Sequence, residues 1–485
     1  MEQWVVVTII ISAYLALTLT IGMLAGRRST ESVAGYVAAD RSFGLLVMYF
    51  VTGASVFSAF AFLGGPGWAY SRGAAAFYIL AYGALGMAPF YWIGPRVAEL
   101  GRRHGYVTQA QMLTGRFPSR GLSALIALLS LIAFVPYVTL QMRGAGIVIE
   151  AVTDGNVPIW LGSLVAYGIV IVYVLSSGAM AVGWTNTFQG IFMVVIAWTL
   201  GLYLPHRLYG GIGEMFTQIQ AARPDLLTPP GLDASGDPWT WGAFSTFILV
   251  SAVGLMMWPH LFMKAFTAKD DDTLRRTVIL FPTFQLFLIP VFLIGFSGVL
   301  FAGTPQAPDF ILPFMILETE LPAIVVGLFC AGALSASMST GDALLHASAS
   351  VFVEDGVAKY VELDERRQRR LMQVIVLLTG IVAYIFAQDP DSSLVLLLAT
   401  AYGIICQFAP PVVAALYWKR ATTPGVVTGL VAGGATAVFF WANPELKPFD
   451  MHEGIVGLLV HVPVLIGVSL ATPAQDADHV RKFMA

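Results

Sequence analysis

The sequence predicts an all-α protein that crosses a membrane many times. Three observations lead to this fold class: 57% of the 485 residues are hydrophobic, only 11% are charged, and the mean hydropathy is +0.76. A soluble domain carries about 25% charged residues, so most of the outer surface must face lipid. This composition excludes a cytosolic enzyme and a secreted module, and a net charge of −3 gives no basic footprint for nucleic acid. Cys330 and Cys406 both lie in apolar runs, which excludes a disulfide framework.

The apolar runs predict thirteen transmembrane spans, since a helix needs about 20 apolar residues to cross a bilayer. The predicted limits are 4–24, 44–70, 73–95, 121–152, 159–176, 184–204, 243–263, 277–301, 322–345, 371–388, 393–417, 424–442 and 454–471. We expect the first span to stay in the protein and not to be a cleaved signal peptide, because no basic segment precedes it and no small-residue cleavage site follows it.

Lys and Arg residues orient these spans, because they concentrate in cytoplasmic loops. With the N-terminus outside and the C-terminus in the cytoplasm, 21 of the 26 Lys and Arg residues fall in inner loops, beginning with Arg27 and Arg28. Four fall in outer loops and Arg143 lies within a span. We therefore expect a multi-pass protein of the cell inner (plasma) membrane, with a tail too short for a sensor module.

The second predicted span has an unusual composition. It reads GASVFSAFAFLGGPGWAY over residues 53–70, with small residues in its first half and a Gly-Gly-Pro-Gly interruption at 64–67. One interpretation is close packing of helices in lipid, which small residues permit. The other is a discontinuous helix whose freed carbonyl groups coordinate a cation.

The ninth predicted span is rich in hydroxyl groups. It reads AGALSASMSTGDALLHASAS over residues 331–350 and contains one carboxylate, Asp342. A single serine in such a helix usually bonds to a carbonyl one turn earlier. The adjacent Ser339 and Thr340, one turn after Ala336, favour an ion site, because hydroxyls and freed carbonyls supply the neutral oxygens that a hard cation needs.

Arg143 is the only basic residue that the sequence assigns to membrane depth. A lone cation there must be paired or functional. The structural interpretation is an ion pair with Glu150 or a side chain that extends outward to the interface. The functional interpretation is a bidentate clamp for a substrate carboxylate. The other residues near the expected pocket are apolar, which disfavours a sugar and suits a small organic anion.

Four motifs resemble, in chain order, segments of the sodium:solute symporter family. They are GASxxSxxxFLGxPGxAY at 53–70, SSGAMAVGWTNTFQG at 176–190, WPHLFMKAF at 258–266 and MST at 338–340. The chain is identified as a member of this family, and the resemblance covers essentially its whole length. It implies a LeuT-type pair of inverted five-helix repeats, here spans 2–6 and 7–11. The implied regions are a first helix and inner loop (1–43), the first repeat (44–204), an outer loop (205–242), the second repeat (243–417), and two accessory helices with a cytoplasmic tail (418–485).

The resemblance also implies a sodium site and a substrate site. Carried over residue by residue, the sodium ligands are the carbonyls of Ala54, Phe57 and Ala336 and the hydroxyls of Ser339 and Thr340. The residues expected to contact the substrate are Arg143, Phe60, Gln141 and Ser58.

Two positions depart from the family pattern. Asn186 stands where many members have the aspartate of a Trp-Thr-Asp motif, and Val56 stands where the proline-transporting branch has an aspartate. Both departures argue against a second sodium ion and against proline as substrate. Asp342 could supply the missing charge, as a second-ion or proton site, or could be a structural partner of Asn186 or of a backbone donor. The sequence does not separate these interpretations.

The leading functional hypothesis is secondary active transport, in which the inward sodium gradient drives uptake of a small organic monocarboxylate by alternating access. The motif PYxxLQ at 136–141, followed by Arg143, resembles the monocarboxylate-permease branch. The alternatives are a proton-coupled carrier, an amino-acid or pantothenate carrier of the same fold, and a transport-like sensor. An enzyme is disfavoured, since the sequence has no HExxH, Walker or CxxC motif. The expected partners are a small organic anion and the lipid bilayer, and a small membrane partner subunit stays open.

Overall fold

The computed structural model describes residues 3–27, 32–153, 155–319, 321–389 and 394–484. These ranges are helical and contain no strand, apart from two isolated bridges, Phe43 with Ala268 and Leu232 with Pro238. The first ten helices are α1 (Gln3–Gly26), α2 (Val33–Ala38), α3 (Leu45–Val56), α4 (Gly65–Arg72), α5 (Phe77–Met87), α6 (Phe90–His104), α7 (Gln109–Arg116), α8 (Arg120–Val152), α9 (Ile159–Tyr209) and α10 (Ile212–Ala222).

The second half of the chain contributes thirteen more helices within the described residues. They are α11 (Trp241–Gly254), α12 (Pro259–Phe262), α13 (Lys264–Thr267), α14 (Asp271–Gln285), α15 (Leu288–Gly298), α16 (Ile311–Glu318), α17 (Ala323–Val351), α18 (Glu365–Phe386), α19 (Leu394–Ile405), α20 (Ala409–Tyr417), α21 (Thr423–Ala442), α22 (Glu453–Ala471) and α23 (Ala477–Met484). The region 205–242, predicted as an outer loop, includes the end of α9 and all of α10.

Nine helical stretches in the described ranges are long and apolar enough to cross a membrane, when the two parts of α9 are counted separately and α14 is counted together with α15. Two bent helix pairs raise this number to eleven. The bent pairs are Leu45–Val56 with Phe60–Met87, at 57°, and Trp241–Met257 with Pro259–Thr267, at 51°. The predicted span 73–95 corresponds to α5 and part of α6, and the span predicted at 393–417 corresponds to α19 and α20. Position 393 and Arg28 lie outside the described residues. The all-α, polytopic class is confirmed, whereas the count of thirteen stays a prediction.

Each of the two predicted repeats begins with a broken helix. The first bent pair starts with α3 in predicted span 2, and the second starts with α11 in predicted span 7. A pair of interrupted helices at corresponding positions is typical of transporters built from inverted repeats. The boundaries of the repeats stay predictions.

The break in span 2 comes earlier than the Gly-Gly-Pro-Gly sequence predicts. Helix α3 stops at Val56, and Phe57 is extended at φ −96° and ψ 90°. The segment 64–67 is itself helical, because a π-helical turn at Phe60–Gly64 leads directly into α4. Pro66 is tolerated there since it lies at the start of α4, a position where the fixed φ of proline suits the helix.

Spans 5 and 6, predicted at 159–176 and 184–204, are closer together than predicted. They form the two parts of α9, Ile159–Ser176 and Gly178–Tyr209, with one residue between them. Within α9, Gly178 is the non-helical position, at φ 55° and ψ −138°. This backbone region is open essentially to glycine alone. A Cβ atom on Gly178 would also lie 2.4 Å from the carbonyl oxygen of Tyr36. The kink therefore requires glycine on two grounds.

Helix α17 lies at the centre of the bundle, where it packs against α1, α3, α8 and α9. Every residue of α17 from Phe329 to Val351 is buried. Its small side chains allow this close approach, which lipid alone would not drive. Peripheral helices instead expose apolar side chains, such as Val374 and Ile385 in α18. Cys330 and Cys406 are both free, buried thiols.

Candidate functional site

The break after α3 leaves backbone carbonyl groups without helical partners. A helix ends with four carbonyls that no N–H of the same helix reaches. The N–H of Phe57 still donates to the carbonyl of Gly53 at 3.0 Å, as in a regular helix, but the pattern ends there. The N–H of Ala59 donates to Oε1 of Gln141 at 3.0 Å, which frees the carbonyl of Ser55. The broken helix thus presents carbonyl oxygens toward the centre of the bundle.

Two hydroxyl groups of α17 meet these carbonyl oxygens. Ser339 Oγ donates to the carbonyl of Ala54 at 2.9 Å and lies 3.2 Å from that of Ala336. Thr340 Oγ1 contacts the carbonyl oxygens of Ala54 and Ser55, each at 3.2 Å. All of these residues are buried. The result is a compact cluster of neutral oxygens that joins α3 to α17.

Four of the five predicted sodium ligands meet in this cluster: Ala54, Ala336, Ser339 and Thr340. Phe57, the fifth, is the first extended residue after α3, and its ring packs against the rings of Phe281, Phe284 and Phe287. The carbonyl of Ser55 belongs to the cluster as well. The sequence could have indicated Ser55, since it is the neighbour of Ala54 in the last turn before the break.

Asp342 and Asn186 flank the oxygen cluster without a hydrogen bond between them. Asp342 Oδ2 accepts from the hydroxyls of Tyr173 at 2.9 Å and Thr185 at 3.2 Å. Asn186 Nδ2 donates to the carbonyl of Ser339 at 2.8 Å. The Oδ1 atoms of Asp342 and Asn186 are both buried, and neither has a hydrogen-bond partner among the described residues. The structural partners of Asp342 are therefore two hydroxyl donors on α9.

Gln141 and Ser58 lie at the same break, on the side of α8. The carbonyl of Gln141 accepts from Ser337 Oγ at 2.6 Å, which attaches α8 to α17. Ser58 Oγ accepts from the N–H of Phe60 at 3.1 Å. Gln141 Nε2 is buried and has no hydrogen-bond partner among the described residues. Three of the four predicted substrate residues thus surround the break, and an unused amide donor lies among them.

The second broken helix adds aromatic residues that the sequence analysis did not assign to the site. Trp258, at the break after α11, lies 4.8 Å from Tyr137 between ring centroids and 5.7 Å from Tyr402. His260 lies 5.9 Å from Tyr137 and 5.7 Å from Trp258. In the described chain, the indole N–H of Trp258 is buried without an acceptor. The Trp-Pro-His sequence at 258–260 could have indicated these residues, since an indole and an imidazole at a helix break offer hydrogen-bond donors to a ligand.

The structure places Arg143 apart from the other predicted substrate residues. It follows Gln141 by two positions on α8, so the two side chains leave opposite faces of the helix. The guanidinium of Arg143 donates to the backbone carbonyl of Asp389, just after α18. Glu150, its predicted ion-pair partner, accepts from the N–H of Ile159 at 3.3 Å.

Comparison with known proteins gives matches along most of the chain. A family model described as the sodium:solute symporter family matches residues 36–433. The uncharacterized symporter YhjB of Bacillus subtilis (strain 168) is 29% identical over an alignment of 483 positions, which covers 96% of each chain. The sodium/pantothenate symporter of Escherichia coli (strain K12) is 30% identical over an alignment of 482 positions, which again covers 96% of each chain.

A solved structure of a Na⁺-coupled sialic acid symporter, in a substrate-bound outward-open state, resembles this fold with a TM-score of 0.81. It is 18% identical in sequence, and the match covers 97% of this chain and 99% of that chain. At this identity the likeness establishes the fold, which is of the LeuT type.

Proposed function

Since the chain belongs to the sodium:solute symporter family, we propose that it couples the inward sodium gradient to uptake of a small organic acid with one carboxylate. The family consists of transporters, so the chain is a multi-pass membrane transporter and not an enzyme. In the proposed orientation, in the plasma membrane, the N-terminus is outside and the C-terminus is cytoplasmic, as the distribution of Lys and Arg indicates.

The observation that carries the sodium proposal is the contact of Ser339 and Thr340 with the freed carbonyl of Ala54. Sodium is a hard cation that prefers oxygen ligands, and hydroxyl oxygens have lone pairs to offer once their protons turn away. The proposed ligands are the carbonyls of Ala54, Phe57 and Ala336 with these two hydroxyls.

Sodium bound there would hold the broken helix α3 against α17, and thereby favour one arrangement of the two repeats. Only the difference in affinity between two states can shift their populations. One positive charge that moves inward across 100 mV releases about 2.3 kcal/mol, which is about a 50-fold bias. A single ion per cycle would therefore be enough to concentrate a scarce nutrient.

The substrate proposal rests on donors that have no acceptor at the two breaks. Gln141 Nε2 and the indole N–H of Trp258 are both buried without a partner among the described residues. A buried donor costs about 1–3 kcal/mol while it stays unpaired, and a carboxylate would satisfy both. Phe60 and Tyr137 are buried nearby and would face the short apolar part of the acid. Pantothenate, the substrate named for the Escherichia coli relative, carries one carboxylate and is included in this class.

Arg143 is the second candidate for the partner of the substrate carboxylate. A guanidinium can bind a carboxylate with two parallel hydrogen bonds, which an amide and an indole cannot. Its present contact is the carbonyl of Asp389, so it would have to leave that contact to reach an acid beside Gln141.

Proton coupling is the alternative mechanism, and one observation on Asp342 supports it. Asp342 Oδ1 is buried without a hydrogen-bond donor in the described residues, and a proton on that oxygen would turn it into a donor itself. A sensor function has no comparable support from the geometry.

The test is uptake by the purified protein in proteoliposomes, with labelled acetate, lactate, pyruvate, pantothenate and proline. Each is measured with an inward sodium gradient, with an equal potassium gradient, and with a pH gradient alone. We expect sodium-dependent uptake of at least one monocarboxylate at constant pH, and none of proline. Uptake that follows the pH gradient and ignores sodium would identify a proton-coupled carrier, and sodium-driven uptake of proline alone would refute the substrate class.

A further inference from the structure

A polar cavity of about 380 Å³ lies at the arginine-rich start of α18. Its lining residues are Ser32, Glu365, Arg366, Arg369, Arg370 and Gln373. Three guanidinium groups thus face a cavity that has one carboxylate, so the cavity attracts anions. None of these residues belongs to the sodium or substrate site.

Two of the lining residues are fixed by contacts with the neighbouring helices. Arg369 donates to the carbonyl of Ser176 at 3.3 Å, and its guanidinium lies 5.5 Å from the centre of the Tyr36 ring. Gln373 Nε2 donates to the carbonyl of Leu175 at 2.9 Å. These contacts attach α18 to α2 and to α9 just before its kink. One wall of the cavity is therefore held in place by the fold.

The other two arginines have their guanidinium groups available. Neither Arg366 nor Arg370 has a hydrogen bond or an ion pair with any described residue, and both are exposed. Arg367, between them, is instead paired with Asp364 at 3.4 Å. Pairs of arginines bind phosphate well, because the planar fork of each donates two parallel hydrogen bonds.

An apolar stripe continues from the cavity along the lipid-facing side of α18. Val374, Leu378, Ile381 and Ile385 follow Arg370 at helical spacing on the same face. Their side chains are 50%, 50%, 46% and 64% exposed. Cations at the end of an apolar exposed face lie at the level of the lipid headgroups.

We propose that this cavity binds the phosphate of an anionic phospholipid, with an acyl chain along the stripe from Val374 to Ile385. Basic pockets between transmembrane helices on the cytoplasmic side are a recurring form of lipid recognition. The occupant would bridge Ser32, next to α2, and α18, and so would hold the segment that packs at the kink of α9.

The test measures lipid retention by the full-length protein with native mass spectrometry, after exchange into phosphatidylcholine with added phosphatidylglycerol. The variant is Arg366→Gln with Arg370→Gln. The matched control, Arg276→Gln with Arg367→Gln, removes the same charge from arginines that pair with Asp272 and Asp364 outside the cavity. We expect the wild type and the control to retain phosphatidylglycerol, and the variant to bind it about 30-fold more weakly, or about 2 kcal/mol at 1.4 kcal/mol for each tenfold.

The melting temperature in phosphatidylcholine alone shows whether the variant folds. It must equal that of the wild type for the loss of lipid binding to be interpreted. If it does not, Arg366→Gln and Arg370→Gln replace the double variant as single variants, and each should bind phosphatidylglycerol more weakly than the wild type, because one of the two guanidinium forks is lost. Equal retention by the variant and the wild type, or equal loss in the control, would overturn the proposal. Displacement of the lipid by millimolar inorganic phosphate would also overturn it, and would identify a site for soluble phosphate.

Discussion

The hydroxyl of Ser339 donates a hydrogen bond to the carbonyl oxygen of Ala54 at 2.9 Å, between residues 285 positions apart in the chain. One partner belongs to the end of a broken helix and the other to the most enclosed helix of the bundle. Both oxygens are buried, so water does not compete for them. A cation between them would bind both oxygens once the hydroxyl hydrogen turns away from the carbonyl.

The kink at Gly178 gives a prediction about stability. Gly178→Ala should destabilise the protein by about 2–3 kcal/mol, because alanine is strained at this backbone conformation and its Cβ would lie 2.4 Å from the carbonyl oxygen of Tyr36. Gly168→Ala is the matched control in the same helix, since a Cβ there meets nothing within 4 Å. It should be neutral or stabilising by up to about 1 kcal/mol. Melting temperatures in detergent compare the two, and equal values would contradict the account of the kink.

Asn186 and Asp342 give a prediction about the number of ions. The Hill coefficient for sodium should be near one, because Asn186 is uncharged and Asp342 already accepts from Tyr173 and Thr185. Asp342→Asn should keep the coefficient and change the half-saturating sodium concentration by less than about threefold, since the amide oxygen still accepts these bonds. The measurement is initial uptake against sodium at fixed pH. A coefficient near two that falls to one in Asp342→Asn would assign a second sodium ion to Asp342.

Trp258 gives a prediction about substrate recognition. Trp258→Phe keeps an aromatic ring beside Tyr137 and Tyr402 but removes the buried N–H. We expect KM for the acid to rise about 10- to 100-fold, the effect of one lost hydrogen bond to a charged group, with little change in the half-saturating sodium concentration. Trp239→Phe, in the aromatic cluster with Trp68, is the control. An unchanged KM in Trp258→Phe would remove the indole from the proposed substrate site.

A variant of Arg143 distinguishes the two candidate partners of the substrate carboxylate. One candidate is Arg143 itself, and the other is Gln141 together with Trp258. If Gln141 and Trp258 bind the acid, Arg143→Gln should keep the preference for the acid over its neutral amide within about threefold. It should lower the melting temperature, because the contact with Asp389 is lost. If Arg143 is the clamp, the same variant should lose about 2–5 kcal/mol of acid binding, some 30- to 4000-fold. Competition of the acid and its amide against labelled substrate distinguishes these results.

Much of the fold and of the oxygen cluster between α3 and α17 follows from local sequence. Ser339 and Thr340 stand out because they are adjacent hydroxyl residues that lie one turn after Ala336 on the same helix. The location of the break in span 2 was harder to predict, because Pro66 signals an interruption but occupies the first turn of α4, where proline fits. The break instead follows α3, where tertiary contacts such as that of Ala59 with Gln141 replace helical bonds.

The substrate side of the site depends on contacts that no local pattern contains. Trp258 meets Tyr137 only because the second broken helix packs beside α8. Arg143 and Gln141 differ in surroundings because two positions on a helix point to opposite faces. The sequence assigned both to the substrate, whereas the structure turns Arg143 toward Asp389. A charged residue at membrane depth is expected to have a structural or functional role, but the helix face on which it lies determines which group it contacts.

Sodium-stimulated uptake by the variant Ser339→Ala with Thr340→Ala tests the central claim most directly. The control is Ser350→Ala, whose buried hydroxyl donates to the carbonyl of His346 in its own helix, at 2.9 Å, and to no other described residue. Both proteins are reconstituted at equal density, and uptake of the acid found in the panel is measured against sodium at constant pH. We predict that the control behaves as the wild type and that the variant needs at least about 100-fold more sodium, since two proposed ligands in a buried site are lost. A variant that keeps the sodium dependence of the wild type would contradict the claim that this oxygen cluster binds the coupling ion.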